Sequence, residues 1–381
     1  MKLVINCSTL SASGATQVSV SFIYECINFP ENEYFLFLSK TVSQQISAAD
    51  FPDNFHFYIL ENHPAYGIKG FKIRKLMRTW MQSIKPDVVF SVFGPSWWTP
   101  EVPHLQGYAY SHYIYEDSPL FTKLSPIQKF KINIFKLIHI NFLIRNGDHY
   151  VSETKDVSNR LKKLINKKGK KYYTVTNTAN NFFIEYQNNS YGDNKQLLPE
   201  RKSGEFRFLS LCTYHVHKNL DILNEVIPIL NTTFPDNNIR FVLTIDEENY
   251  NDKFSPVSKK SIINLGRVDV QDCPQLYQEC DALFLPTLLE CFSANYPEAM
   301  VMERPILTSN LSFATEVCVD AARYFDPMAP NDIAQNIIEL VTNENLRTHL
   351  VLAGKKRLKE FDTPRQRAEK YLDICKKISK E

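Results

Sequence analysis

The sequence ALFLPTLLECFSANYPEAMVMERPILTSN, residues 282–310, alternates between strand and helix signals. An apolar run of strand length, 282–287, ends at a loop, and a second apolar run, 305–310, follows a segment of helical periodicity at 296–303. Pro297 suits the first turn of this helix, where its missing N–H leaves no hydrogen bond unmade. Strand, helix and strand in this order predict a βαβ unit with parallel strands.

The same alternation extends outward through both halves of the chain. It predicts an α/β protein with two Rossmann-like domains whose parallel sheets face a central cleft. In the first half the predicted strands are 2–9, 33–39, 54–60, 86–93, 102–109, 148–153 and 171–177, with helices at 15–29, 69–83, 125–146 and 154–166. In the second half the predicted strands are 205–212, 238–245, 261–268, 282–287, 305–310 and 321–327, with helices at 219–233, 271–280, 296–303 and 330–343.

A chain of 381 residues is too long for one ordinary core and favours two domains. We place the first domain at 1–177 and the second at 178–362, with a terminal helix at 363–380. Residues 187–204 are polar and rich in turn formers, which is typical of a linker or an exposed insertion. Ligands of parallel α/β sheets bind at the carboxyl ends of the strands, so the predicted site is the cleft between the domains.

Composition excludes several classes of protein. The eight cysteines are scattered without a CxxC pair, and no His, Asp or Glu cluster has metal-ligand spacing, so neither a disulfide framework nor a metal cofactor is expected. The start of the chain lacks the apolar region of a secretory signal, and no apolar run approaches the ~18 residues of a membrane span. A reduced, cytoplasmic protein is the simplest interpretation.

Two acids stand out in the stretch 282–310. Glu290 lies on the predicted loop and Glu298 in the first turn of the following helix. Each carboxylate accepts two or more hydrogen bonds, which suits vicinal sugar hydroxyls, and a helix start favours a phosphate. The alternative is that Glu298 is only a favourable first-turn acid and Glu290 a solvated loop residue.

With these residues in view, the second half resembles the retaining glycosyltransferases of family 4, which have the GT-B architecture. Glu290 and Glu298 match the E-x7-E motif of that family, and the resemblance continues through the PEAM and RPILTSN segments to Glu316 and the Asp326–Pro327 turn. The resemblance implies that Glu290 contacts the transferred sugar and that Glu298 binds the ribose. It also implies that the backbone of the loop, Phe292, Ser293, Ala294 and Asn295, holds the diphosphate. Cys291 and Ser293 stand where the family usually has glycine.

Further donor residues follow from the same resemblance. Residues 209–223 match the segment in which an Arg and a Lys clamp the diphosphate: Lys218 keeps the Lys, whereas Thr213 replaces the Arg and removes its bidentate fork. The family's Gly-rich turn beside the donor falls at Gly14, and Val268 falls at the contact to the nucleoside base. Taken alone, Lys218 is better explained as a surface lysine at a helix start, and only its register with the family segment makes it a candidate.

The resemblance also implies an active-site histidine after the predicted strand 102–109. Strict register places a small or apolar residue near Ala109, and His112 follows three positions later. His112 is therefore the candidate catalytic histidine, with a loop histidine of no function as the alternative. The family further implies that the terminal helix packs back on the first domain.

Charge is divided unevenly along the chain. Residues 1–172 hold 21 Lys and Arg against 13 Asp and Glu, although the whole chain has a net charge of only +2. Basic and aromatic residues interleave with helical spacing at 68–85, where Lys72, Lys75 and Arg78 are candidates for a membrane or acceptor surface, and again at 127–145. The alternative is that both helices cover the sheet and their lysines are merely solvated.

These observations together predict a metal-independent, retaining hexosyltransferase. It would move a sugar from a nucleotide-diphosphate sugar to a glycan or a polyprenyl-diphosphate-linked acceptor, in bacterial surface polysaccharide synthesis. Its expected location is the cytoplasm, with contact to the inner face of the membrane, and no nucleic acid is expected as a partner. Two alternatives stay open: a nucleotide-sugar epimerase of similar architecture, and a catalytically weak GT-B-like binding or regulatory subunit.

Overall fold

The computed structural model describes residues 1–11, 13–188, 196–236 and 238–381, and it divides the chain into two units. Unit 1 comprises 1–116, 125–177 and 362–381, and unit 2 comprises 117–124 and 178–361. Residues 189–195 of the predicted linker lie outside the described residues. Each unit contains one parallel sheet, so the predicted α/β class with two Rossmann-like domains is confirmed.

Unit 1 contains a seven-stranded sheet in the order β3-β2-β1-β4-β5-β6-β7. Its strands are β1 (Lys2–Cys7), β2 (Glu33–Ser39), β3 (Phe55–Leu60), β4 (Val88–Ser91), β5 (His104–Gly107), β6 (His149–Ser152) and β7 (Tyr172–Thr174). Its helices are α1 (Ser13–Glu25), α2 (Lys40–Ser43), α3 (Gly67–Ile84), α4 (Ser111–Ile114), α6 (Pro126–Asn146), α7 (Lys155–Ile165) and α17 (Pro364–Ile378); α5 (Leu120–Lys123) falls in unit 2.

Helices cover both faces of this sheet, which is why β1 and β2 are buried along nearly their whole length. On one face, α17 packs beside α1: the ring of Tyr371 lies 5.3 Å from that of Phe22 and 5.0 Å from that of Phe90. The buried Arg367 fixes this helix, because its guanidinium donates to Ser21 Oγ at 2.9 Å and to Asn177 Oδ1. The last helix of the chain is thus part of the core of unit 1.

Unit 2 contains a six-stranded sheet in the order β10-β9-β8-β11-β12-β13. Its strands are β8 (Glu205–Ser210), β9 (Asn238–Leu243), β10 (Ile262–Asn264), β11 (Ala282–Leu285), β12 (Ile306–Ser309) and β13 (Ala322–Phe325). Its remaining helices are α8 (Asn181–Asn188), α9 (Leu223–Thr233), α10 (Glu247–Lys253), α11 (Pro256–Lys259), α12 (Cys273–Glu279), α13 (Asn295–Val301), α14 (Ser312–Cys318), α15 (Pro330–Thr342) and α16 (Glu344–Leu358).

The structure differs from the sequence prediction at several places, and helices α8, α10, α11 and α14 are among the elements that were not predicted. Residues 117–124 group with unit 2, although the sequence placed all of 1–177 in the first domain. The reason is polar contact, since Ser118 Oγ donates to the carbonyl of Leu288 at 2.7 Å and Lys123 Nζ donates to Asn219 Oδ1. Helix α16 was not predicted, because it buries only Leu350, Ala353 and Gly354 and has no continuous apolar stripe.

Within the described part of the chain, no helix has both the length and the apolar character needed to cross a bilayer.

The aromatic contact between α1 and α17 should contribute strongly to stability. We expect Phe22→Ala to lower the free energy of unfolding of unit 1 by about 3–5 kcal/mol, because Phe22 is fully buried against Phe90 and Tyr371. Phe130→Ala is the matched control: Phe130 is 65% exposed, so the change should stay within about 0.5 kcal/mol. Denaturant unfolding followed by circular dichroism measures both, and equal effects of the two variants would contradict the packing described.

Candidate active site

The candidate site of unit 2 lies where its strand order reverses. Strands β8 and β11 are neighbours at the centre of the sheet, and the connections that follow them run towards opposite edges. Open parallel sheets bind ligands at such a switch point, beside the carboxyl ends of the strands. The two segments that emerge there are 211–219, after β8, and 286–294, after β11.

An ion pair joins these two segments. Lys218 Nζ contacts Glu290 Oε1, and the two side chains are only 17% and 15% exposed. Burial alone would lower the pKa of Lys218, but the charge of Glu290 and its hydrogen bond outweigh burial and hold this pKa above its ordinary value. Thr287 Oγ1 also lies 3.5 Å from Glu290 Oε1. The predicted sugar-binding acid and the predicted phosphate-binding lysine are therefore direct partners.

The backbone around Lys218 is fixed by hydrogen bonds to its surroundings. Asn219 has a left-handed conformation (φ 56°) and is fully buried, and its Nδ2 donates to the carbonyl of Pro327 at 2.9 Å. The carbonyl of His217 accepts from the amide of Leu288 at 2.7 Å and from Thr287 Oγ1 at 3.1 Å. Both segments are thus held in one arrangement before any ligand binds.

The loop that leads into α13 offers backbone donors. Within the described part of the chain, the amides of Phe292, Ser293, Ala294 and Asn295 donate no hydrogen bond to another protein group. Asn295 Nδ2 donates to the carbonyl of Leu211 at 2.8 Å, which anchors the loop to the segment after β8. Four consecutive amides with spare hydrogens suit an anionic ligand.

Cys291 and Ser293, which stand where the family that the sequence resembles has glycines, do not project into solvent. The side chains of Cys291 and Ser293 are each only 6% exposed, so the loop accommodates them inside unit 2. Burial raises the pKa of several cysteines of the chain, including Cys212 beside the ion pair, whose pKa reaches about 11. Cys212 is consequently a neutral thiol at physiological pH and is not suited to be a nucleophile.

Glu298 occupies a separate position on α13. Tyr277 of α12 donates its hydroxyl to Glu298 Oε2 at 3.2 Å, and this hydroxyl also lies 3.4 Å from the carbonyl of Asn295. Burial raises the pKa of Glu298 to about 7, although the bond from Tyr277 opposes the shift. The carboxyl group therefore titrates near physiological pH.

The other predicted donor residues of unit 2 lie around this centre. Thr213 is exposed on the segment after β8, where the imidazoles of His215 and His217 stack 5.4 Å apart. Val268 is half-buried on the loop after β10, an edge strand, and this loop leads to the helix that carries Tyr277. Lys218 and Glu290 are brought together directly, whereas Thr213 forms no hydrogen bond with either of them in the described structure.

Gly14 and His112 belong to unit 1. Gly14 lies in the first turn of α1, and a Cβ atom placed there would meet nothing within 4 Å, so packing in unit 1 does not require a glycine. His112 lies half-buried on the short helix α4, after β5. Lys72, Lys75 and Arg78 are exposed on α3. The roles assigned to these five residues stay predictions.

Residues that sequence reasoning missed complete the site. Tyr277 reads as an ordinary apolar helix residue, and no motif indicates that its hydroxyl contacts Glu298. Asn219 follows Lys218 directly and has a left-handed backbone conformation. Asparagine adopts this conformation more readily than most residues, and its presence after Lys218 is the sequence signal for the turn. Among the described residues, no group of three His, Cys, Asp or Glu side chains could hold a metal ion.

Comparison with known proteins agrees with this geometry. Residues 205–343 match the family model described as glycosyl transferases group 1. An uncharacterized glycosyltransferase of Methanocaldococcus jannaschii is 27% identical over 176 residues, which is 45% of this chain and 48% of that protein, so the chain spans about half the length of the curated relative it matches.

Solved structures resemble the chain along almost its whole length. Sucrose-phosphate synthase from Thermosynechococcus elongatus has a TM-score of 0.75 at 12% identity, covering 99% of this chain and 98% of the other. Anabaena HepE in complex with UDP and glucose has a TM-score of 0.67 at 12% identity, covering 98% of each chain. At such identities the likeness establishes the fold alone, which is GT-B.

The raised pKa of Glu298 gives a test of its assignment. Because the carboxylate accepts ribose hydroxyls better than the neutral acid does, we expect binding of a nucleoside diphosphate to strengthen about tenfold between pH 6 and pH 8, as Glu298 ionises around pH 7. Isothermal titration calorimetry at pH 6, 7 and 8 measures it.

The control is Glu298→Gln, which should bind several-fold more weakly at pH 8 and keep only the pH dependence of the phosphate itself. Equal pH profiles in parent and variant would remove Glu298 from the ribose site.

Proposed function

We propose that the protein is a retaining glycosyltransferase that uses a nucleotide-diphosphate sugar. The observation that carries this proposal is the buried Lys218–Glu290 pair beside four free loop amides, at the switch point of a sheet that lies within the matched glycosyltransferase region. In the proposed complex, the diphosphate is bound by the backbone amides of Phe292–Asn295 and by the side chain of Lys218. Glu298 accepts hydrogen bonds from the ribose hydroxyls. The complex of HepE with UDP and glucose supports a donor of this chemical class.

Glu290 is proposed to orient the transferred sugar. Its carboxylate would accept sugar hydroxyls with the oxygen that Lys218 leaves available, while Lys218 neutralises charge on the departing diphosphate. In a front-face reaction the bond between the sugar C1 and the diphosphate oxygen breaks, and the acceptor oxygen bonds to C1 on the same face. The released diphosphate takes the acceptor's proton. No covalent glycosyl-enzyme is needed, so Glu290 positions the sugar without acting as a nucleophile.

The proposed reaction needs no metal ion. Positive charge for the diphosphate comes from Lys218, and the remaining stabilisation comes from backbone amides, which need no cation when they are already directed at the ligand. His112 stays a proposed contact to the transferred sugar, and Gly14, Thr213 and Val268 stay proposed donor contacts. The acceptor is proposed to be a glycan or a polyprenyl-diphosphate-linked sugar used in building a surface polysaccharide.

A lipid-linked acceptor would require contact with a membrane at its cytoplasmic face, and α3 offers a basic surface for it. Lys72, Lys75 and Arg78 are all exposed, and α3 contains five Lys and Arg but no Asp or Glu. Each such residue near an anionic surface contributes about 1 kcal/mol. This helix is therefore the proposed electrostatic contact.

The decisive measurement is turnover. We expect the protein to release nucleoside diphosphate from one member of a panel of UDP-, GDP- and ADP-sugars when glycan or lipid-linked acceptors are present, and the product should keep the donor's anomeric configuration in NMR spectra. Glu290→Gln should lower this rate about 100-fold because the sugar is no longer held in the reactive position. Addition of EDTA should leave the parent rate unchanged.

The matched control is Glu339→Gln, since Glu339 is a surface acid paired with Arg323 at 2.7 Å and should not affect turnover. Conversion of the nucleotide sugar to an isomer without nucleotide release would instead identify an epimerase. Donor binding without either reaction would identify a binding subunit. Loss of activity in EDTA that Mg²⁺ restores would refute the metal-free reaction.

The electrostatic contact has its own test. Replacing Lys72, Lys75 and Arg78 together by Gln should weaken binding to anionic vesicles at low salt by about 3 kcal/mol, because three favourable charges are removed, and should leave turnover on a soluble acceptor unchanged. Vesicle sedimentation at 0.05 and 0.5 M NaCl measures the binding to vesicles. A nucleotide-release assay measures the turnover on the soluble acceptor. Unchanged vesicle binding would show that α3 is only a solvated cover on its sheet.

A further inference from the structure

Helix α6 leaves an apolar face without a protein partner in the described structure. It runs from Pro126 to Asn146, yet only Leu143 and Asn146 of its 21 residues are buried. Six large apolar side chains of the helix have exposures between 40% and 68%: Phe135 stands apart, and the other five follow one another along one side, Ile127, Phe130, Ile134, Leu137 and Ile138. Their spacing of three, four, three and one places all five within an arc of about 100°. The helix therefore presents a continuous apolar stripe to its surroundings.

A different face of α6 attaches it to unit 1. The carbonyl of Leu143 accepts from Gln106 Nε2 at 3.2 Å and from the hydroxyl of Tyr150 at 3.1 Å. One turn earlier, the hydroxyl of Tyr113 and Nδ1 of His139 form a hydrogen bond of 2.9 Å. Because these contacts attach the inner face of α6 to unit 1, the outer stripe is not needed for packing there. A surface helix that only covers a sheet normally has polar residues on its outer side.

The charged residues of α6 itself are all basic. Helix α6 contains Lys129, Lys131, Lys136 and Arg145 and no acidic residue. Lys129, Lys131 and Arg145 are exposed, whereas Lys136 is paired with Glu116. Apolar residues flanked by lysines and arginines, without acids, match a surface that has negative charges above an apolar layer.

Helix α3 lies on the same side of the sheet as α6. Val89 of β4 packs with Ile73 and Met77 of α3. Ser91, two residues after Val89 and therefore on the same face, is in register with Gln106 of β5, which is the residue that bonds to α6. Both basic helices thus cover one face of the unit 1 sheet.

The exposed side of α3 adds to the surface formed by α6. Its exposed apolar residues, Ile68, Phe71 and Leu76, alternate with the exposed Lys72 and Lys75. The two helices together carry nine Lys and Arg and no Asp or Glu. We call the outer sides of α3 and α6 the basic apolar face.

We propose that the apolar stripe of α6 inserts into an anionic lipid bilayer. The helix lies in the interface, with its stripe among the upper acyl chains at a depth of about 5–10 Å and its lysines at the phosphates. A second copy of the chain is a poorer occupant, because it would bring another set of basic residues to the same face with no acid to pair with them. This insertion adds an apolar anchor to the electrostatic contact of α3, and it does not depend on the proposed sugar transfer.

The experiment uses the full chain and two kinds of vesicle. One contains phosphatidylcholine alone, and in the other about one lipid in three is the anionic phosphatidylglycerol. The α6 variant is Phe130→Ser with Leu137→Ser, and the matched control is Val257→Ser with Leu352→Ser. The control removes two side chains of unit 2 with similar exposure, 50% and 59% against 65% and 67%. All four positions are exposed, so melting temperatures should stay equal.

We expect the α6 variant to lose at least about tenfold in affinity for anionic vesicles at both 0.05 and 0.5 M NaCl, because removal of apolar contacts is insensitive to salt screening. The control should bind like the parent. By contrast, the α3 variant with three glutamines should have nearly the same affinity for anionic vesicles as the parent at 0.5 M NaCl. This difference in salt dependence separates insertion from electrostatic attraction.

A second measurement locates the stripe directly. An environment-sensitive fluorophore attached at Phe130→Cys should shift its emission to the blue on anionic vesicles, whereas the same label at Leu352→Cys should not. Equal vesicle binding by parent and α6 variant, or no shift at position 130, would overturn the proposal. A parent dimer that the α6 variant converts to a monomer, with vesicle binding unchanged, would also overturn it and assign the stripe to a self-interface.

Discussion

The ion pair between Lys218 and Glu290 joins the two segments on which the candidate site depends. Each segment follows a central strand of the unit 2 sheet, and only their meeting at the switch point brings a cation and an acid from positions 72 residues apart into contact. Breaking a buried pair by removing one partner leaves an uncompensated charge, which costs more than the pair itself contributes. The pair is therefore better understood as a device that fixes the two segments than as a source of stability.

How far the sequence predicted this arrangement depends on the type of interaction. Runs such as 205–212 and 282–287 predicted strands because a parallel sheet covered on both faces needs apolar residues throughout. Glu290, Glu298 and Lys218 were found by spacing within a family motif. Their mutual contacts could not be predicted, since an ion pair between two loops depends on backbone conformations such as the left-handed Asn219, which periodicity does not encode.

Helix α6 shows the same limit in another form. Its helical period was evident in 127–145, and the sequence left open whether the helix covers the sheet or lies at an interface. Periodicity cannot decide this because α6 is apolar on two sides: Leu143 contacts the unit 1 sheet, while Phe130 and Leu137 are more than 60% exposed. Tertiary contacts alone distinguish the side that is buried from the side that is available.

The glycosyltransferase family that the sequence resembles has an arginine at the position of Thr213. Its absence from this chain changes how a diphosphate would be held. Lys218 already shares its charge with Glu290, so the pair together contributes little net positive charge. No bidentate guanidinium is available at Thr213 to restore it. The larger share of phosphate binding would then come from the unpaired amides of Phe292–Asn295, whose dipoles are fixed by the backbone and lose no side-chain entropy on binding. In such a site, the geometry of the loop, more than the number of cations, sets the affinity for the leaving group, and the bond from Asn295 Nδ2 to the carbonyl of Leu211 anchors that loop, in which Cys291 and Ser293 are buried.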